Sequence, residues 1–149
     1  MEIFRNGPAT VQKVLDGVTE NEEGYVPAPG KWTIRQIVRH VADTEIVVGM
    51  RLRQIIAEES PTLIPFDQEA WAANLGYENA AVSDSFARFR SVREDTAKLL
   101  ESLPDQAFDR PGVHPERGTK SLLEWVHIFG VHVERHADQI RAIREKARG

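Results

Sequence analysis

The chain has 149 residues, with 23 acidic and 19 basic side chains and a net charge of −4. That length suits a single domain over residues 1–149, and an acidic balance with no basic cluster argues against nucleic-acid binding. There is no cysteine, which excludes disulfides, thiolate zinc sites and a cysteine nucleophile, so any metal must be held by His, Asp, Glu or water.

The N-terminal residues have no apolar core of signal-peptide length. The apolar run Ile46–Met50 is far too short to span a bilayer. A cytoplasmic protein is expected. A first helix is predicted from Pro8, a good first-turn residue, with Val11, Val14, Leu15 and Val18 on its apolar face, ending before Asn21. Residues 25–32 form a Pro/Gly loop. The second helix opens with a capping box, Thr33 to Gln36, and buries Ile34, Ile37, Val38, Val41, Val48, Leu52 and Ile55. It stops before Pro61. Residues 60–82 are a long irregular connection with a short helical turn near Asp67–Ala73. The third helix starts near Ser83 and is stopped by Pro104. Residues 104–120 read as irregular, and no segment alternates with period two. The fourth helix opens with a second capping box, Ser121 to Glu124, and runs to about Lys146. Gly49 and Gly130 lie inside helices, where each costs about 1 kcal/mol against Ala, so close helix approach is expected at both. Four long amphipathic helices predict an all-α four-helix bundle. The long crossover suggests that the second and third helices run parallel.

The fourth helix carries an anomaly. Trp125, Phe129, His132, His136, Ile140 and Ile143 fall on one stripe, so two imidazoles occupy core positions one turn apart. A third, His40, sits two turns into the second helix. At 1.5 Å per residue it lies about 10 Å from the start of that helix, while His136 and His132 lie about 15 and 20 Å before the end of the fourth. If the two helices are antiparallel, the three imidazoles share one level. Three neutral imidazoles suit zinc or nickel and leave coordination positions open, the catalytic pattern rather than the structural one. His127 falls on the opposite face and His114 in a loop, and both read as surface or loop decoration. A lone core histidine is more often a packing residue than a ligand, so the pair needs the third imidazole to become a metal site.

The blocks Gly30–Asp43 (GKWTIRQIVRHVAD) and Ile64–Trp71 (IPFDQEAW), together with His132-x-x-x-His136, resemble the DinB/YfiT-like superfamily. The likeness covers most of residues 25–145. It implies a four-helix bundle in up-down-down-up order, often dimeric, with one divalent metal on three histidines that map onto His40, His132 and His136. Members of its YfiT branch are described as metal-dependent hydrolases, and similar proteins include bacillithiol S-transferases. The sequence departs from the pattern at Val133-Glu-Arg135, where relatives can carry more histidine, leaving Arg135 either in the pocket or at the surface.

Three functions follow as expectations. The first is a thiol S-transferase: a low-molecular-weight, bacillithiol-like thiol would lose its proton on the metal and attack an electrophile. Trp32, Asp67 and Trp71 would then be candidates for the pocket wall, although a tryptophan in such a loop also serves as a packing anchor. The second is a hydrolase that generates hydroxide near neutral pH, with Asp43, one turn from His40, as the candidate base. Its bland alternatives are orientation of a ligand or a solvated charge. The third is a non-enzymatic metal-binding stress protein. The first two require a small-molecule substrate, and none requires a membrane.

Overall fold

The computed structural model describes residues 1–149. Helices α1 (Glu2–Arg5) and α2 (Gly7–Leu15) follow one another with a break at Asn6, and a single-turn helix α3 (Glu20–Gly24) comes next. Helix α4 (Ile34–Ala57) is followed by a crossover containing α5 (Gln68–Asn74) and a 3-10 turn at Tyr77–Asn79. Helix α6 (Val82–Glu101) leads through a second 3-10 turn into the hairpin β1 (Pro111–His114) and β2 (Gly118–Ser121), and α7 (Leu122–Arg148) closes the chain. No helix is long and apolar enough to cross a membrane.

Helix directions follow from contacts. Between α4 and α6 the partners advance together: Glu45 bonds Arg93, and Arg53 bonds Asp95 and Thr96. These helices are therefore parallel. Between α4 and α7 the order reverses. His40 meets His132 near one end, while at the other Gly112 lies against both Ile55 and Trp125. A Cβ on Gly7 would lie against Val133, and Arg144 bonds the carbonyls of Val14 and Asp16, so α2 runs parallel to α7. The result is the up-down-down-up bundle, and the crossover must traverse its length to return the chain for α6.

Local chemistry sets the element ends. Capping boxes start α4 at Thr33/Gln36 and α7 at Ser121/Glu124, each satisfying two orphan backbone N–H groups. The apolar stripe predicted for α4 is buried throughout. Gly49 and Gly130 do mark close approaches: a Cβ on Gly130 would sit 2.7 Å from Ile3 and 3.1 Å from the Phe4 backbone nitrogen, and one on Gly49 would be 3.3 Å from Val92.

The helix predicted from Pro8 is α2, which begins at Gly7 with Asn6 as its N-cap and Pro8 in its first turn, as expected; the short α1 precedes it, anchored by the fully buried Phe4. Two expectations need correction. Helix α2 ends at Leu15, so Val18 lies beyond it and the residues before Asn21 do not continue it. A third capping box, Thr19 with Glu22, starts α3 instead. Residues 104–120 are not all irregular: β1 and β2 pair antiparallel, and Thr62 of the crossover adds a parallel bridge to Val113. Those strands have four residues each, too short to show a period.

The core has two parts, one around Ile37, Phe89 and Ile140, the other around Leu52, Leu100 and Trp125. Glu45 and Arg93 are both 1% exposed and form a bidentate pair, with N–O distances of 2.8 and 2.6 Å. Arg93 also donates to the Phe4 carbonyl at 3.1 Å and lies 3.9 Å from the Phe4 ring centroid. The pair thus ties α1, α4 and α6 together. Removing one partner of a buried pair leaves an uncompensated charge and typically costs 3–5 kcal/mol, about tenfold less being at stake in an exposed pair. Glu45→Ala should therefore lower the urea midpoint of unfolding strongly, and Asp138→Ala, which breaks the exposed Asp138–Arg141 pair, should leave it nearly unchanged.

Candidate metal centre and cleft

His40 comes from α4, and His132 and His136 from α7. Their candidate ligand atoms all lie within 4.8 Å of one another. His132 Nε2 is 3.1 Å from His136 Nε2 and 3.4 Å from His40 Nε2. The other ring nitrogens face away. His136 Nδ1 donates to Gln139 Oε1 at 3.0 Å, and His40 Nδ1 is 3.4 Å from the Thr44 hydroxyl. An amide oxygen only accepts, so the His136 proton sits on Nδ1 and its Nε2 presents a lone pair. Without a metal, one proton on His132 Nε2 serves one of the two contacts and leaves the third nitrogen without a donor. A divalent cation serves all three, and an all-imidazole donor set suits zinc or nickel.

The imidazoles are held neutral, the form that ligates. Burial pushes His40 down to about 4, helped by His136. Burial also pushes His132 down to about 3, with His136, His40, Arg93 and Arg117 adding to the effect. His136 is lowered by burial, against the opposing hydrogen bond to Gln139.

His40 and His132 open onto a cleft of about 130 Å³ between the bundle, the crossover and the hairpin. Thr44, Arg51, Phe66, Gln68, His114, Arg117 and Phe129 are among its lining residues, with Glu116 the one carboxylate.

The other sequence-derived candidates sit as follows. The Trp32 ring packs 5.0 Å from that of His40 and 6.3 Å from that of Tyr77, outside the cleft lining. Asp67 caps α5, accepting from the Glu69 and Ala70 amides at 3.0 Å. Trp71 packs against Phe66, ring centroids 4.5 Å apart and tilted by 43°, and so backs the cleft wall through that ring. Asp43 is buried and paired with Arg39 at 3.1 Å and Arg88 at 3.6 Å, and the structure does not bring it into the histidine cluster. His127 is exposed, as its helical face predicts. His114 is not loop decoration: β1 turns it inward, where it is 4% exposed and lines the cleft. Arg135 faces solvent. Arg51 carried a legible signal, a charged residue between Val48 and Leu52 on an apolar stripe. Glu116 and Arg117 carried none.

The fold and the site together define a class of four-helix bundle that brings three imidazoles into one cluster able to hold a metal ion. A family model for the DinB superfamily matches residues 3–140, and the chain belongs to that superfamily. It is 28% identical over 148 residues to the Bacillus subtilis protein named "Putative metal-dependent hydrolase YfiT", an alignment covering 99% of this chain and 82% of that one. A protein of Oceanobacillus iheyensis with the same descriptive name is 30% identical over 129 residues, 87% of this chain and 74% of its own. The solved structure of YfiT matches with a TM-score of 0.89 at 26% identity, over 97% of this chain and 83% of that one, and is described as having an unusual four-helix bundle topology.

The depressed histidine values fix the sign of a pH effect in metal-free protein. An unfolded chain takes up protons on these imidazoles below 6.5, whereas folded His40 and His132 resist until about 4 and about 3. Folding stability is therefore fully present above 6.5 and falls as the pH drops below it, by at most roughly 2 kcal/mol per buried imidazole between pH 6.5 and 5. Urea midpoints measured in chelator from pH 7 to 4 should fall more steeply for wild type than for His132→Leu.

Proposed function

We propose that the protein is a divalent-metal-dependent enzyme that transfers a low-molecular-weight thiol to an electrophile at the three-histidine centre. The observation that carries this reading is a cluster of three neutral imidazoles beside an open cleft, with no carboxylate in the cluster. A metal bound there supplies Lewis acidity and lowers the pKa of a coordinated thiol. A thiol, with an ordinary pKa near 8.5, needs no strong protein base once so assisted. The absence of cysteine fits, because the sulfur comes from the cosubstrate.

The chain's own residues do the rest. His40, His132 and His136 hold the metal, and Gln139 and Thr44 orient two of the rings from their far nitrogens. Trp32 buttresses His40. Trp71 supports Phe66, and Asp67 fixes the start of α5, so these three hold the wall around the site. With an alkyl halide, a sulfur–carbon bond forms as the carbon–halogen bond breaks, halide leaves, and the thiol proton passes to solvent through the cleft.

A second reading, hydrolysis of a small substrate, is favoured by the names of the relatives and by Glu116 in the cleft. The base would be Glu116, or Asp43 if its arginines release it. Glu116→Gln and Asp43→Asn separate those two.

The test is thiol consumption by zinc- or nickel-loaded protein, using bacillithiol, mycothiol, glutathione and coenzyme A against alkyl halides and epoxides. At least one thiol should be conjugated, and His40→Ala should lose roughly 100-fold or more of that rate, as expected for removal of a metal's contribution. No conjugation across the panel, with metal-dependent cleavage of esters or amides instead, would move the assignment to the hydrolase.

A further inference from the structure

Two arginines in this protein are buried, and they are treated differently. Arg93 has Glu45 as a bidentate partner. Arg51, 6% exposed, has no carboxylate partner at all. One of its terminal nitrogens donates to the Ile64 carbonyl, and its Nε is buried with no hydrogen-bond partner. A buried guanidinium without a counterion is costly, and its planar fork matches a carboxylate or phosphate.

The surroundings point the same way. Arg51 lines the cleft that reaches His40 and His132. Arg117 lines it too and makes no ion pair, although Glu116 beside it is acidic. His114 accepts the Glu116 backbone N–H at Nδ1 at a distance of 3.2 Å, so its neutral ring carries a donor on Nε2. Gln68 adds an amide. The cleft therefore gathers donors and positive charge, with one exposed carboxylate against them.

We propose that Arg51 and Arg117 form a subsite for an oxyanion, a carboxylate or phosphate, carried by the small molecule that reacts at the three-histidine centre. His114 and Gln68 supply further donors. The link to a reaction rests on the function proposed above, but the binding of the oxyanion does not. Arg51 sits about three turns along α4 from His40, so the substrate is one whose anionic group lies some distance from its reacting atom.

The experiment is calorimetric titration of the protein with succinate, inorganic phosphate and the neutral succinamide. Wild type, Arg117→Ala, Arg51→Lys and His132→Ala are compared, each checked for helical content. Succinate or phosphate should bind wild type with a Kd in about the millimolar range, as suits a fragment. Which of the two binds more tightly identifies the anion. Binding should persist in His132→Ala, weaken about tenfold in Arg117→Ala and also weaken in Arg51→Lys, where charge remains but the fork is lost. Loss of binding in His132→Ala, equal binding in Arg117→Ala, equal binding of succinamide, or no binding of either anion would each overturn the subsite. Arg117 is exposed, so its variant remains informative if Arg51→Lys does not fold. A protein that binds succinate but no metal would instead overturn the proposed reaction and leave the subsite standing.

Discussion

The antiparallel contact between α4 and α7 is the constraint on which the site depends. Gly112 fixes one end of it. Its missing side chain lets the hairpin lie between Ile55 and Trp125, where a Cβ would come within 2.7 Å of Ile55, and its carbonyl accepts from Trp125 Nε1 at 3.2 Å. With that end pinned, helical rise carries His40 to the level of His132 and His136. A slip of one residue in either helix would rotate an imidazole by about 100° and scatter the lone pairs. The site is thus a consequence of helix register, and the core on either side of it holds that register.

The protein places its buried charges unequally. Glu45 and Arg93 neutralise one another where α1, α4 and α6 meet, so that pair belongs to the scaffold. Asp43, one turn from His40, is engaged by Arg39 and Arg88. Around the cleft the pattern changes: Arg51 and Arg117 have no carboxylate partner, and the imidazoles are kept neutral by burial. Charge is cancelled in the scaffold and left uncancelled at the cleft, as expected where a ligand supplies the missing partner.

Much of this was legible in the sequence, for identifiable reasons. The apolar stripes of α4 and α7 and their capping boxes are strong local signals, and the length of the crossover betrays the parallel α4–α6 pair. The convergence of His40, His132 and His136 was legible because imidazoles on an apolar stripe are conspicuous. Other features were not. The Thr19–Glu22 box uses the same chemistry as the other two but starts only one turn of helix, within an acidic run. The hairpin is too short to show alternation, so the inward turn of His114 had no local signature. Arg51 and Glu45 were visible as charges among apolar neighbours, but their opposite fates depend on whether α6 supplies a partner. That is a tertiary fact.

The central claim is that three imidazole nitrogens and no carboxylate hold one divalent ion. X-ray absorption spectroscopy on untagged protein, at a measured metal-to-chain ratio, tests it most directly. A ratio of about one is expected, with three histidine nitrogens at roughly 2.0–2.1 Å if the ion is zinc, and loss of the ion in His132→Ala. A first shell with fewer than three imidazoles, a protein carboxylate in their place, or full metal retention in His132→Ala would contradict it.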